Sequence, residues 1–233
     1  MDCKGIVQFS KNEKIVSRYF CKMIQGIRHI IFDLGGVLLN IDYRLTEQAF
    51  VKLGIENFSA IYSQLKQSTL FDELEVGRIS QAEFFSKLKH TCNISSADEE
   101  LELAWNAMLL DMPLRRLQLL EQLRHHYDLV LLSNTNEIHE AAFNKIISGT
   151  HGYSLGAFFD RVYYSHRIGM RKPDVEVFEM ILNENGFKPG HTLFIDDSPQ
   201  HIEGAKKAGI QTIWLEPGMT IEDNIFKPRV DVG

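Results

Sequence analysis

Four short runs of consecutive apolar residues constrain the fold of this 233-residue chain more than any other feature. They are RHIIFD (28–33), DLVLLS (128–133), HTLFID (191–196) and QTIWL (211–215), and RVYYS (161–165) is a weaker fifth. Unbroken apolar runs are typical of strands that are buried on both faces of a parallel sheet. Helical patterns separate the later runs, so the sequence predicts an α/β fold with an open, doubly wound parallel sheet.

The interval from about residue 44 to 110 differs from the rest, because it contains helical patterns such as QAEFFSKLKH but no convincing strand. Ser80 and Glu83 have the spacing of a capping box at the start of that pattern. We therefore predict an N-terminal extension over residues 1–26, an α/β core over 27–43 and 111–233, and an inserted helical cap over 44–110. Trp105 and Trp214 fall in apolar helix and strand patterns and are expected in the core.

Composition bears on partners and location. The net charge of −6 and the pI near 5.8 argue against a surface for nucleic acid. No apolar run reaches the roughly 18 residues that a membrane span requires. Three widely spaced cysteines suggest free thiols in a reducing compartment. We expect a cytoplasmic protein that binds neither nucleic acid nor membrane, and the sequence does not indicate its oligomeric state.

Polar residues follow three of the predicted strands: Asp33 after the first, Ser133 and Asn134 after the second, and Asp196 and Asp197 after the run HTLFI. In a parallel sheet these ends meet at one edge. An aspartate after a strand commonly caps the next helix, but this explanation suits one of Asp196 and Asp197 better than both. Converging carboxylates repel one another unless a cation lies between them, and oxygen ligands suit Mg²⁺.

A basic pair, Arg171 and Lys172, precedes Pro173. Proline disfavours helical geometry in the residue before it, so Lys172 is expected on a loop near the start of the next helix. Such a position is suited to an anion. The two cations would complement the carboxylates. The isolated histidines His151 and His201 are expected at the surface.

The segments FDLGGV, LLSNTN, GMRKP and FIDDSPQHIEGAKKAG resemble, in order, the four motifs of the haloacid dehalogenase superfamily, and together they look most like its α-D-glucose-1-phosphate phosphatase branch. The resemblance implies a phosphatase with a helical cap, acting on a small phosphorylated substrate such as a sugar phosphate. It implies Asp33 as the nucleophile that forms an aspartyl-phosphate. It further implies that Ser133, Asn134 and Lys172 bind the substrate, and that Mg²⁺ is held by the following residues: Asp33, Gly35 through its carbonyl, Asp196 and Asp197.

Gly35 departs from the pattern of most phosphatases in the superfamily, which carry a second aspartate two residues after the nucleophile. Loss of a positioned acid/base typically costs about a hundred- to ten-thousand-fold in rate. One explanation is a more acidic leaving group, as in an anomeric sugar phosphate, with proton transfer by water or by one of five polar residues: Asp42, Arg44, Glu75, Arg78 or His166.

Two alternatives remain. One is a dehalogenase that attacks carbon without a metal, although that branch tends to carry an aromatic residue in place of Gly35 and lacks a paired aspartate in its fourth motif. The other is a non-catalytic sugar-phosphate binding protein. Retention of Asp33 and Lys172 argues against this second alternative, because a binding protein does not need a nucleophile.

Overall fold

The computed structural model describes residues 23–55 and 69–227 of the chain. Most of the predicted extension, part of the predicted cap, and both Cys3 and Cys21 lie outside the described residues. Cys92, the cysteine within them, is a free thiol. Among the described residues there is no helix with both the length and the apolar character needed to cross a bilayer.

Five parallel strands form one sheet in the order β3-β2-β1-β4-β5. Their bounds are His29–Phe32 for β1, Asp128–Ser133 for β2, Arg161–Tyr164 for β3, Thr192–Asp196 for β4 and Gln211–Trp214 for β5. The chain proceeds outward from β1 on one side to β3 and then crosses to β4 on the other. The strand order therefore reverses between β1 and β4, the position where ligands bind in open α/β sheets.

The apolar runs pack on both faces of the sheet, as predicted. Ile30 and Phe32 of β1 belong to one cluster, together with Leu131, whereas Ile31 belongs to a second cluster with Phe194 on the opposite face. Because neighbouring residues of a strand point to opposite faces, a strand covered on both sides requires apolar residues in succession. Each fully buried side chain of this size contributes about 1.5–3 kcal/mol.

Helices cover both faces and fill the insert. Four of the described helices lie between β1 and residue 110: α1 Tyr43–Lys52, α2 Leu70–Glu75, α3 Gln81–Cys92 and α4 Asp98–Asn106. The remaining helices are α5 Leu114–Leu123, α6 Glu137–His151, α7 Ser165–Ile168, α8 Val175–Asn185 and α9 Pro199–Lys207, and a short π-helical segment, Ile221–Ile225, follows. The predicted capping box at the start of α3 is present, with Ser80 and Glu83 bonded to each other's backbone N–H groups.

Helices α1 to α4 share an aromatic-rich cluster of their own, built around Phe84, Phe71 and Trp105. Ile138 of α6 also joins this cluster, so the insert packs directly on the α/β part. Trp105 is buried, as expected. The limits of the cap at residues 44 and 110 stay a prediction.

The two connections between the insert and the α/β part run side by side. Asn40 N–H donates to the carbonyl of Asp111 at 2.8 Å, Leu110 N–H donates to the carbonyl of Asn40 at 3.0 Å, and Asp42 N–H donates to the carbonyl of Met108 at 2.9 Å. This short antiparallel pairing gives the insert a defined place beside the carboxyl edge of the sheet.

The last strand is less buried than predicted. QTIWL was predicted to be a buried strand with Trp214 in the core, but Gln211 is exposed and Trp214 is 41% exposed. The strand is present and parallel, as predicted. Its lower burial follows from its position at the edge of the sheet, where only one neighbouring strand covers it.

Candidate active site

Three aspartates meet at the carboxyl edge of the sheet, where the strand order reverses. Asp33 follows β1, Asp196 is the last residue of β4, and Asp197 follows it. One carboxylate oxygen from each lies within 4.8 Å of the others. Asp33 and Asp196 are buried and Asp197 is exposed. The structure therefore brings together the carboxylates that the sequence predicted to converge.

Lys172 supplies a buried cation beside them. Its ammonium group donates to Oδ1 of Asp33 at 2.6 Å, to Oδ2 of Asp196 at 2.7 Å and to the carbonyl of Leu132 at 3.1 Å. The residue precedes α8 by three positions, as expected for a loop near a helix start. Its side chain, however, is completely buried.

Asn134 holds Lys172 in place. The side-chain amide of Asn134 donates to the carbonyl of Lys172 at 2.8 Å and accepts from its N–H at 2.9 Å. This pair of bonds fixes the backbone from which the lysine side chain extends. Asn134 was expected to bind substrate; in the structure its side-chain amide positions Lys172. A role in binding substrate stays a prediction.

Arg171 does not join the carboxylate cluster, contrary to expectation. Its guanidinium contacts Asp72 and lies 3.0 Å from the carboxylate of Glu75, both on α2 of the insert. The side chains of the neighbouring residues Arg171 and Lys172 therefore bind different parts of the protein. The first binds the insert and the second binds the ends of β1 and β4.

Gly36 makes room for Asp197. Its φ is +75°, a backbone conformation that favours glycine. A Cβ atom on this residue would overlap the carboxylate of Asp197. Gly35, in contrast, has an ordinary φ, and a Cβ there would meet only the side chain of Ile41 at 3.2 Å. The second glycine of the FDLGGV segment is therefore the one that the geometry of the carboxylate cluster requires.

The charges at this site are unbalanced. Burial, opposed by Lys172 and reinforced by Asp196, raises the pKa of Asp33. Burial also raises the pKa of Asp197. For Asp196, burial acts in the same direction, but Lys172 and His201 outweigh it and lower the pKa. Three carboxylates beside one ammonium group form a donor set that suits a hard cation such as Mg²⁺.

A cavity of about 260 Å³ opens over Asp33 between the sheet edge and the insert. Ser133, which is buried at the end of β2, contributes to its lining. Of the five residues considered as replacements for the second aspartate, Glu75 alone is among the described residues that line this cavity. Asp42 instead caps α1 and bonds to Arg44.

His166, another of those five, is engaged elsewhere. Its Nε2 lies 3.0 Å from Glu140, which also accepts two bonds from Arg167. None of these three residues lines the cavity. Local sequence could not show this, because Glu140 is 26 residues from His166.

Two histidines that sequence reasoning did not assign to the site contact it. His201 was expected at the surface, but its Nδ1 lies 3.0 Å from Oδ1 of Asp196. His139, on α6, is buried and lines the cavity. The position of His201 one turn after Asp196 and Asp197 was an available signal, because that spacing returns a side chain towards the start of its helix. Nothing in the local sequence distinguished His139.

An open parallel sheet that gathers three aspartates and a buried lysine at the reversal of its strand order defines an α/β enzyme with a carboxylate centre. More particularly, the chain belongs to the haloacid dehalogenase-like hydrolases, because the model of that family matches residues 27–209. The prediction of this superfamily from the four motifs is confirmed.

Individual relatives support this family assignment. The chain is 33% identical over 192 residues to a D-ribitol-5-phosphate phosphatase of Bacteroides thetaiotaomicron, an alignment that covers 82% of this chain and 93% of the relative. A haloacid dehalogenase family enzyme from the same organism, crystallised with magnesium and inorganic phosphate, superposes with a TM-score of 0.77 at 33% identity, covering 82% of this chain and 96% of that one.

A predicted HAD-like family hydrolase of Porphyromonas gingivalis superposes with a TM-score of 0.75 at 32% identity, covering 85% of this chain and 94% of that chain. These similarities extend over the sheet and the insert together. They support the predicted enzyme class, a phosphatase of this superfamily. The substrates named above are those of the relatives.

Proposed function

We propose that this protein is a Mg²⁺-dependent phosphatase that removes phosphate from a small phosphorylated sugar or sugar alcohol through an aspartyl-phosphate on Asp33. The observation that carries the proposal is the arrangement of Asp33 beside Lys172 and two further aspartates. Asp33 and Asp197 line the cavity between the sheet and the insert. A protein that only binds its ligand has no need for a nucleophilic carboxylate in this position.

The metal would be held by Asp33, by Asp196 or Asp197, and by the carbonyl of Gly35. When bound, Mg²⁺ offsets the negative charges of the nucleophile and of the phosphoryl oxygens. The donor set fits, since three carboxylates converge and Gly36 leaves space for the carboxylate of Asp197. Asp196 already accepts bonds from Lys172, His201 and the Ser198 N–H, so we assign it a supporting role and Asp197 the direct one.

The reaction consists of two successive displacements at phosphorus, and residues of this chain supply the groups for both. A carboxylate oxygen of Asp33 forms a bond to phosphorus as the bond between phosphorus and the leaving oxygen breaks. Water then attacks the phosphorus, which releases phosphate and restores the carboxylate. Lys172 places a positive charge where charge builds on the transferring group, and Ser133 can donate a hydrogen bond from the cavity wall.

The proton required by the leaving oxygen has no donor at Gly35. The anomeric explanation attributed this to an acidic leaving group, but ribitol 5-phosphate, named in the relative, is the ester of an ordinary primary alcohol. We therefore extend the predicted substrate class from sugar phosphates to sugar and sugar-alcohol phosphates. Among the described residues of the insert, Glu75 is the acidic one that lines the cavity, and it is our candidate for proton transfer, directly or through water.

Phosphate release should be measured with and without Mg²⁺ for ribitol 5-phosphate, glucose 1-phosphate, glucose 6-phosphate and phosphoserine. We expect Mg²⁺-dependent release from at least one of the first three and far less from phosphoserine. If none of them releases phosphate while 2-haloacids release halide, the protein is a dehalogenase. Binding of these phosphates without turnover of any ester would instead indicate a binding protein.

A further inference from the structure

Three contacts fix the position of His139, two of them made by its side chain. Its ring stacks on that of Trp105, with 5.3 Å between the centroids and 1° between the planes. Its Nδ1 lies 2.8 Å from Oδ1 of Asn106. Its backbone N–H donates to the side chain of Asn136, which caps α6. The insert therefore supplies the contacts that orient this histidine of the α/β part.

The contact with Asn106 fixes the tautomer. An amide oxygen only accepts, so Nδ1 carries the proton and Nε2 presents a lone pair. Burial lowers the pKa of His139 to about 3, so the ring is neutral at physiological pH. Within the described part of the chain, Nε2 has no hydrogen-bond partner, and the residue lines the cavity above Asp33.

We propose that His139 is a specificity-determining residue, whose Nε2 accepts a hydrogen bond from a hydroxyl group of the leaving group. This inference rests on the proposed function. A small sugar phosphate bound in this cavity of about 260 Å³ would contact most of the cavity wall. Because the ring is already oriented, little conformational entropy is lost when the bond forms.

The chemistry of the wall favours a hydroxyl over other polar groups. A substrate carboxylate has no proton to donate to Nε2. A hydroxyl group donates to Nε2 without bringing a charge into the cavity, and sugar alcohols carry one on every carbon.

The test compares two substrates that share a five-carbon chain and a primary phosphate ester. Ribitol 5-phosphate carries hydroxyl groups, and n-pentyl phosphate does not. The readout is the ratio of their kcat/KM values in one preparation, so any loss of folded protein cancels. Replacement His139→Phe should reduce this ratio roughly five- to tenfold, the factor associated with one neutral hydrogen bond.

His139→Gln keeps an acceptor and should restore part of the ratio. His151→Gln, on the same helix but bonded to the carbonyl of Met112, should leave the ratio unchanged. A ratio that His139→Phe leaves unchanged, or lowers no more than His151→Gln does, would overturn the inference. Failure of the wild-type protein to release phosphate from any ester would overturn the proposed function instead, so the two failures are distinct.

Discussion

The ammonium group of Lys172 lies 2.6 Å from Oδ1 of Asp33, although the two residues are 139 positions apart in the chain. The ends of two neighbouring strands and one loop are thereby joined at the reversal of the strand order. This arrangement gives each of its residues a role that substitution can test.

Replacing Asp33 with Asn should remove phosphatase activity by roughly a thousandfold or more, because an amide is not a nucleophile of this kind. Phosphate release and circular dichroism would show loss of turnover with the fold retained. Asp128→Asn is a matched control: it makes the same change at the opposite end of the sheet, where the carboxylate is exposed and contacts His29. Full activity in Asp33→Asn would refute the nucleophile assignment.

Gly36→Ala should weaken Mg²⁺ binding by roughly tenfold or more, since the added Cβ would displace the carboxylate of Asp197. Calorimetric titration of Mg²⁺ measures this directly. Gly218→Ala is the control, because Gly218 has a similar φ of +86° but open space around it. Both variants carry a left-handed backbone penalty of about 1–2 kcal/mol, so equal Mg²⁺ affinities in the two would contradict the prediction.

Glu222→Ala should destabilise the fold by about 3–5 kcal/mol in urea unfolding, because it leaves the buried guanidinium of Arg116 without its carboxylate. Arg116 also donates to the carbonyl of Leu38, next to the connection into the insert. The adjacent pair of Asp223 with Arg115 is exposed, and Asp223→Ala should cost far less stability than Glu222→Ala. Similar losses in the two variants would show that burial does not determine the difference.

The stability of the protein should fall as the pH drops below about 6.5, the pKa of histidine in an unfolded chain. Burial lowers the pKa of His139 to about 3 in the folded state, so between these values the unfolded chain binds a proton that the folded protein does not. Because of this difference, the free energy of unfolding falls by about 1.4 kcal/mol for each pH unit below 6.5. Above pH 6.5, His139 removes no stability.

The measurement is the free energy of unfolding at pH 7 and pH 5 for wild type and for His139→Gln. The variant should lose about 1–2 kcal/mol less than the wild type over this interval. His125→Gln removes an exposed histidine and should behave as the wild type does. An identical pH dependence in wild type and His139→Gln would show that His139 is not held neutral.

Much of the fold was predictable because its signals are local. Consecutive apolar residues identified the strands, Ser80 and Glu83 identified a helix start, and Asp33 and Asp196 were placed by the strands they end. Parallel strands place their carboxyl ends at one edge whatever the side chains do, so convergence of the aspartates followed from the strand assignment alone. Trp214 was misplaced because the pattern of one strand does not reveal how many neighbours it has.

The tertiary structure decided which distant groups meet. Arg171 and Lys172 are adjacent in sequence, yet one binds the insert and the other binds Asp33. His139 is a substrate-facing residue in our proposal only because Trp105 and Asn106, more than 30 positions earlier, orient its ring. Sequence by itself determined the strands, the family and the chemical groups available at the sheet edge. Packing determined their orientation, because each hydrogen bond and ring contact depends on partners that only folding brings together.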